Sequence, residues 1–374
     1  MHIAFDAKRF FLNFTGLGNY SRTTIDILRE SNDEDEYWLL SPRIKECAET
    51  NPFLRDSHCH TIRLSGAFDR SFGIASHLKK NGIGIYHGLS NELPVGLKRN
   101  GIRSIVTIHD VAFRTYPDMY HWIDRQIYDL KWRYACQHAD HIIAISESTK
   151  RDVMKFYGVE ESRISVIYQP VQKLFYSPIP LQEARILAEK NVENLPQDYL
   201  LYVGSINSRK NLLGIVKAVE KLPKDVQIPL VVVGGSTPYK QVVLQYISEH
   251  HLEKLIIFPQ RIADNRSLQA LYTSARAFIY PSFYEGFGLP VVEALLQRCP
   301  VVTSNVSSLP EAGGKGALLA NPYDYMDICH CIEKLLIDSK THRRLSTEGY
   351  QYAHTQFNRT EIAQQLRTLY QQFV

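Results

Sequence analysis

At 374 residues the chain is longer than one typical hydrophobic core supports, so two domains are the first expectation. Hydrophobic residues at 44%, charged residues at 22% and a formal net charge of +4 describe an ordinary water-facing globular protein. Residues 1–180 carry 23 Lys and Arg against 21 Asp and Glu, and the remainder carries 20 against 18, an even spread that argues against a nucleic-acid protein.

The opening "MHIAFDAKRFF" reads directly as a strand, without the basic segment and apolar core of a signal peptide. No apolar run approaches the roughly 18 to 20 residues that span a bilayer. The expected location is therefore cytoplasmic, at most peripheral on the inner face of a membrane. Short apolar runs then alternate with helical patterns, the signature of parallel α/β units. Strands are predicted at 2–6, 84–88, 104–110, 141–146 and 163–168, with helices near 17–30, 71–80, 119–137 and 147–157. The pattern restarts with strands at 199–204, 228–235, 255–259, 277–282 and 300–304, and everything after residue 324 reads as helix. Between the two sets, the Pro-punctuated residues 169–198 read as an interdomain connection. In the helix over 119–137, Tyr120, Ile123, Ile127, Leu130 and Tyr134 recur at helical spacing and are expected to face the core, with contact to a membrane or lipid-linked acceptor as the alternative. Ser146 and Thr149 fit a helix N-cap.

The six cysteines have neither disulfide nor zinc spacing. In "HCH" (58–60) and "CHC" (329–331) adjacent side chains point in different directions, so no metal site is expected there.

Doubly wound domains bind ligands at the carboxyl ends of their strands, so the segments just after strands carry the chemistry. Gly16 and Gly18 follow the first strand and precede a helix, where backbone N–H groups can meet an anion. A plain loop-to-helix turn explains them equally well, and Ser21 breaks the dinucleotide fingerprint. His109, with Asp110, ends a buried strand at the mouth of a crevice and is either a ligand contact or a satisfied structural residue. Arg209 and Lys210 stand just before a helix, where their charges make sense if a di-anion sits beside them. In "YPSFYEGFGLPVVEALL" (280–296), Pro290 fits the first helical position and Glu293 the first turn. Helix chemistry leaves Glu285 and Gly288 unexplained. The amides of Phe287, Gly288 and Leu289 would form a second anion cradle, with Glu285 facing the hydroxyls of a ligand and Glu293 reaching back to a ribose.

These stretches, together with "TIHDVAFRTYPD", "IAISESTKRDV", "YVGSINSRKN" and "PVVTSNVSSLPEAGGKGALLANPYD", resemble the retaining GT-B glycosyltransferases of glycosyltransferase family 4, in the family's order over nearly the whole chain. The resemblance implies an α/β GT-B fold of two Rossmann-like domains facing each other across a cleft. An N-terminal acceptor-side domain would span 1–172, a nucleotide-sugar-binding domain 173–355, and a helix crossing back 356–374. It implies that Glu285 and the loop through Leu289 hold the donor sugar and phosphates, that Glu293 binds the ribose, and that Arg209 and Lys210 neutralise the diphosphate. Gly16 and Gly18 would close over the phosphates, and His109 would contact the transferred sugar. Two departures stand out: Arg298 replaces a helix-ending glycine, and Ser205 stands where many members have arginine.

The expected activity is retaining transfer of a hexose, mannose first, to a glycan or lipid-linked acceptor in cell-surface polysaccharide synthesis. The expected donor is GDP-mannose first and a UDP-sugar second, with no cofactor and no metal. "DED" (33–35) reads as an acidic surface turn and not as a metal-holding pair. A nucleotide-sugar epimerase or a non-catalytic nucleotide-sugar-binding protein are the rivals.

Overall fold

The computed structural model describes residues 1–374 except Asp33, Ser236, Arg261 and Ala263. The chain divides into two units: unit 1 comprises Met1–Val171 with Phe357–Val374, and unit 2 comprises Gln172–Gln356.

Unit 1 is built on seven strands: β1 (His2–Asp6), β2 (Glu36–Ser41), β3 (Cys59–Arg63), β4 (Ile85–Gly88), β5 (Arg103–Ile108), β6 (His141–Ala144) and β7 (Ile164–Val166). All pairs are parallel, in the order β3-β2-β1-β4-β5-β6-β7, so the order reverses between β1 and β4. The central strands β4 and β6 are buried throughout, as parallel strands covered on both faces must be. Helix α1 (Gly16–Ser31) and the C-terminal helix Arg359–Gln371 pack together: Ile25 and Leu28 share a core with Ile362, Leu366 and Tyr370. Helix α2 (Trp122–His138) buries Ala135 and Cys136 and packs Tyr128 and Trp132 against a second core.

Unit 2 repeats the plan with β8 (Leu200–Val203), β9 (Leu230–Val233), β10 (Ile256–Ile257), β11 (Ala277–Tyr280), β12 (Val301–Ser304) and β13 (Ala317–Ala320). Its parallel order, β10-β9-β8-β11-β12-β13, reverses between β8 and β11.

The strands missed in the sequence are β2, β3 and β13. Strand β2 begins inside an acidic run. Strands β3 and β13 are sheet edges with partly exposed, polar or interrupted patterns. Most of the expected connection at 169–198 belongs to unit 2, where helix α3 (Leu181–Asn191) packs against the helix Asn265–Ser274. There Arg266 pairs with Glu183 at 2.6 Å and Gln269 donates to the carbonyls of Leu174 and Ser177. The stripe on α2 is corrected too: Ile123, Ile127 and Leu130 are exposed, while Tyr120 packs only partly against the core. Of "DED", Asp33 lies outside the described residues, whereas Asp35 is buried, meeting the Met1 amino group at 2.6 Å and Arg367 at 3.2 Å. On "HCH", His58 and His60 share one face and both meet Glu36, because residues two apart on a strand point the same way. Among the described residues, no group of three or more His, Cys, Asp or Glu is arranged to hold a metal ion.

Candidate active site

The order reversal in unit 2 opens a crevice at the carboxyl ends of β8 and β11, and the segments that follow these two strands are tied together there. After β8, Asn207 accepts a hydrogen bond from the Lys210 amide at 3.2 Å. Asn211 then adopts φ 58° at the start of helix α4 (Leu212–Glu220), a left-handed conformation that Asn tolerates better than most residues. Its side-chain amide donates to the carbonyls of Pro281, after β11, and Pro322, after β13. The Phe283 amide donates to the Arg209 carbonyl at 2.9 Å. This stitching holds Arg209 and Lys210 over the loop that carries Glu285.

Glu285 receives both cations, Arg209 at 3.0 Å and Lys210 at 2.8 Å, and a hydrogen bond from the Tyr280 hydroxyl at 3.1 Å. Lys210 also donates to the Tyr280 oxygen, and Arg209 to the Tyr284 carbonyl. Ser307 and Ser308 fix the loop backbone: the Glu285 amide donates to Ser307 Oγ, and Ser308 Oγ donates to the carbonyls of Glu285 and Phe287. Burial alone would raise the Glu285 pKa, but Arg209 and Lys210 outweigh it and bring it from 4.5 to about 2. The cluster is thus an ionised carboxylate and two cations with one net positive charge, which suits a partner of opposite sign.

Gly288 precedes helix α5 (Leu289–Leu296) with φ 116°, and a Cβ there would lie 2.9 Å from Leu309 and 3.2 Å from Ala312. Both the conformation and the packing require glycine. Phe287 is buried, and Leu289 is the first residue of α5. Pro290 is therefore the second helical residue and Glu293 lies in the second turn, one turn deeper than the sequence suggested. Although Glu293 as a residue is only half-buried, its carboxyl is withdrawn from water and accepts a hydrogen bond from Tyr272 at 3.1 Å. Burial pushes its pKa up from 4.5 to about 7. Arg298 takes the left-handed position after α5 (φ 59°) despite carrying a side chain, and its guanidinium lies 4.1 Å from the centroid of the Tyr350 ring. The glycine-type turn survives the substitution.

In unit 1, His109 follows β5 directly and is buried. Its Nε2 donates to the Leu89 carbonyl at 2.8 Å, and its Nδ1 accepts from Gln169 at 2.9 Å. Its backbone amide donates to the side chain of Asn91, which itself has φ 63°. The Tyr20 ring meets the imidazole edge-on at 4.6 Å. Burial lowers the His109 pKa to about 4, so the ring is neutral. In this arrangement no ring nitrogen is left for a sugar hydroxyl, and the structural reading of His109 gains accordingly. Gly18 has a packing explanation as well, since a Cβ there would lie 1.7 Å from the Asn13 carbonyl oxygen. Its amide donates to the Asn13 side chain at 3.2 Å, whereas Gly16 has open space around it.

The structure therefore brings Arg209, Lys210 and Glu285 into direct contact, with Glu293 on the helix that follows. Tyr280, Asn211, Ser307, Ser308 and Gln169 complete these networks, and sequence reasoning passed over all five. A tyrosine in a buried strand reads as core, and the partners of the others lie far away along the chain.

Two Rossmann-like α/β units, with charged clusters at a switch point, define the GT-B class of fold. In agreement, a sucrose-phosphate synthase from Thermosynechococcus elongatus superposes with a TM-score of 0.78 at 22% identity, over 100% of this chain and 98% of that one. Residues 31–172 match the model for Glycosyltransferase Family 4, and residues 184–352 match that for glycosyl transferases group 1. Together these two glycosyltransferase models take in most of the chain. It is 33% identical over 259 residues to O-antigen chain mannosyltransferase B of Escherichia coli, covering 68% of this chain and 66% of the relative. It is 30% identical over 219 residues to O-antigen chain mannosyltransferase RfbU of Salmonella typhimurium, covering 59% and 57%. The matches thus span just under two thirds, or less, of these relatives' lengths.

Proposed function

We propose that the protein transfers a hexose from a nucleotide-diphospho-sugar to a glycan or lipid-linked acceptor, in the assembly of a cell-surface polysaccharide. The observation that carries this reading is the Arg209–Glu285–Lys210 cluster at the switch point of unit 2. Fixed cations in a water-poor site stabilise the charge that develops on a leaving diphosphate, at no cost in reorganisation. Arg209 and Lys210 hold that charge, the loop from Glu285 to Leu289 orients the sugar, and Glu293 binds the ribose. His109, as a neutral ring, braces the Leu89–Asn91 turn of unit 1.

Transfer is proposed to retain the anomeric configuration. The bond from the anomeric carbon to the phosphate oxygen breaks, and the acceptor oxygen attacks the face being vacated. The acceptor's proton passes to the leaving phosphate oxygen. Glu285 needs no covalent step in this scheme: held by two cations, it is a stabilising group and a weakened nucleophile. Mannose with GDP as the nucleotide is the first choice of donor, supported by the mannosyltransferases that the chain matches, and a UDP-sugar is the second. A panel of nucleotide sugars, each with and without acceptor glycans and scored by nucleotide release, tests the proposal. Acceptor-dependent release from GDP-mannose is expected. Release of an altered free sugar without acceptor would identify an epimerase, and binding without release from any donor would identify a binding protein.

A further inference from the structure

Unit 1 carries an apolar patch that the chemistry above leaves unused. Phe68, Phe72, Trp122, Ile123, Ile127 and Leu130 are each 45–78% exposed, too many large side chains in one region for scattered surface residues. On α2, Ile123, Ile127 and Leu130 follow one another at helical spacing, with Trp122 beside them, and face away from Tyr128, Trp132 and Cys136, which hold the helix to the core. Phe68 and Phe72, on either side of Arg70 in sequence, bring their rings to a centroid distance of 4.9 Å at a tilt of 35°.

Polar contacts join the two clusters. Arg70 pairs with Glu92, and Glu92 pairs in turn with Lys131 of α2 at 3.0 Å, while the Val95 amide donates to the Ser71 carbonyl at 2.8 Å. Through Glu92, the segment that carries Phe68 and Phe72 is therefore tied to α2. The charge of these segments is distinctive. Segments 65–81, 92–99 and 121–138 hold eight Lys and Arg against four Asp and Glu, an excess equal to the formal net charge of the whole chain. Ion pairs balance part of this charge: Glu92 meets Arg70 and Lys131, Asp129 meets Arg114 and Arg133, Asp69 meets His77, and Arg70 also meets Asp6. Lys79, Lys80, Lys98 and Arg99 remain exposed around the patch.

We infer that this face docks on an anionic lipid bilayer, with the aromatic and aliphatic side chains entering the headgroup boundary and the surrounding bases attracting acidic lipids. Apolar area and basic charge together fit this occupant: each alone gives weak, reversible attachment, and two signals give a stable one. A second copy of the chain would bring the same positive excess against itself. The inference deepens the proposed use of a lipid-linked acceptor.

Flotation of the full chain with vesicles tests it. Binding is expected to equal parts of phosphatidylglycerol and phosphatidylcholine, to fall in high salt, and to be weak on phosphatidylcholine alone. The double substitutions Ile123→Ser with Leu130→Ser, and Phe68→Ser with Phe72→Ser, should each weaken binding on the order of tenfold or more. These positions are exposed, so far-UV circular dichroism should be unchanged, and transfer to a water-soluble acceptor should persist. That second readout separates failure of docking from failure of the proposed activity. No vesicle binding by the parent chain, equal binding to neutral vesicles, or substituted chains that bind like the parent would each overturn the inference. So would a dimer that the substitutions dissociate while vesicles are ignored.

Discussion

Replacing Glu285 by Gln keeps the shape of the side chain and removes the charge that holds Arg209 at 3.0 Å and Lys210 at 2.8 Å. The depression of its pKa from 4.5 to about 2 corresponds to about 3 kcal/mol of native-state stabilisation at neutral pH. The sign follows from the direction of the shift. A carboxylate whose pKa is lowered on folding contributes fully above its unfolded value, and that contribution is lost as pH falls from 4.5 through about 2. The Gln variant should therefore be less stable by about 2–4 kcal/mol at neutral pH, since it leaves two cations with no carboxylate. For a unit of this size, that is a melting temperature lower by on the order of 10 °C. The gap should narrow as the pH approaches the folded-state value. An internal control is available, because Trp38, Trp122 and Trp132, the three tryptophans, all lie in unit 1. Tryptophan fluorescence should follow unit 1 and stay put, while the circular dichroism transition, which includes unit 2, moves down. A variant as stable as the parent at neutral pH, or one whose deficit does not shrink on acidification, would refute the assignment of Glu285 as the keystone of the cluster.

Glu293 has the opposite sign: its carboxyl is raised to about 7, so the native state loses stability as pH rises from 4.5 through 7. Glu293→Gln should stabilise the protein by about 1–3 kcal/mol near pH 8 and hardly at all near its unfolded pKa, as urea titrations at the two values would show, while donor binding weakens. His109→Ala should cost about 2–4 kcal/mol, because it opens a buried space and leaves the Leu89 carbonyl and Gln169 without their partner. It should also remove part of the acid lability of unit 1, which in the parent grows as pH falls from 6.5 through about 4, and fluorescence-detected unfolding at the two ends of that range measures both effects. Tyr370→Phe should destabilise unit 1 by about 1–3 kcal/mol in the same measurement, since His87, which bridges Tyr370 at 2.7 Å and Thr107 at 2.8 Å, would lose one of its two partners.

How far the sequence could be read depended on how local each feature is. Apolar runs such as "HIIAIS" and "AFIYPS" announce strands buried on both faces, and the structure places β6 and β11 there. Ser146 caps its helix as expected, accepting from the Thr149 amide at 3.0 Å. Edge strands were less legible, because β3 has one wet face and a polar composition. For α2 the spacing was right and the direction wrong: two stripes of large residues run along that helix, and periodicity alone cannot say which one meets the core. Arg209, Lys210 and Glu285 stood out because charges just after buried strands need a reason. Their mutual contact did not, since it spans about 75 residues of chain and depends on the β8–β11 reversal. His109 shows the converse, a polar residue in the right place whose partners Leu89 and Gln169 only the fold reveals.

The central claim is that Arg209 and Lys210 serve as the counter-charge to a leaving diphosphate. Measuring sugar transfer in excess chelator, for the parent chain and for Lys210→Ala, tests it most directly. The expected result is transfer that persists in the parent and falls in the variant by the equivalent of about 2–4 kcal/mol of transition-state stabilisation, the scale for losing one preorganised donor. Transfer that chelator abolishes and magnesium or manganese restores, or a variant as active as the parent, would contradict it.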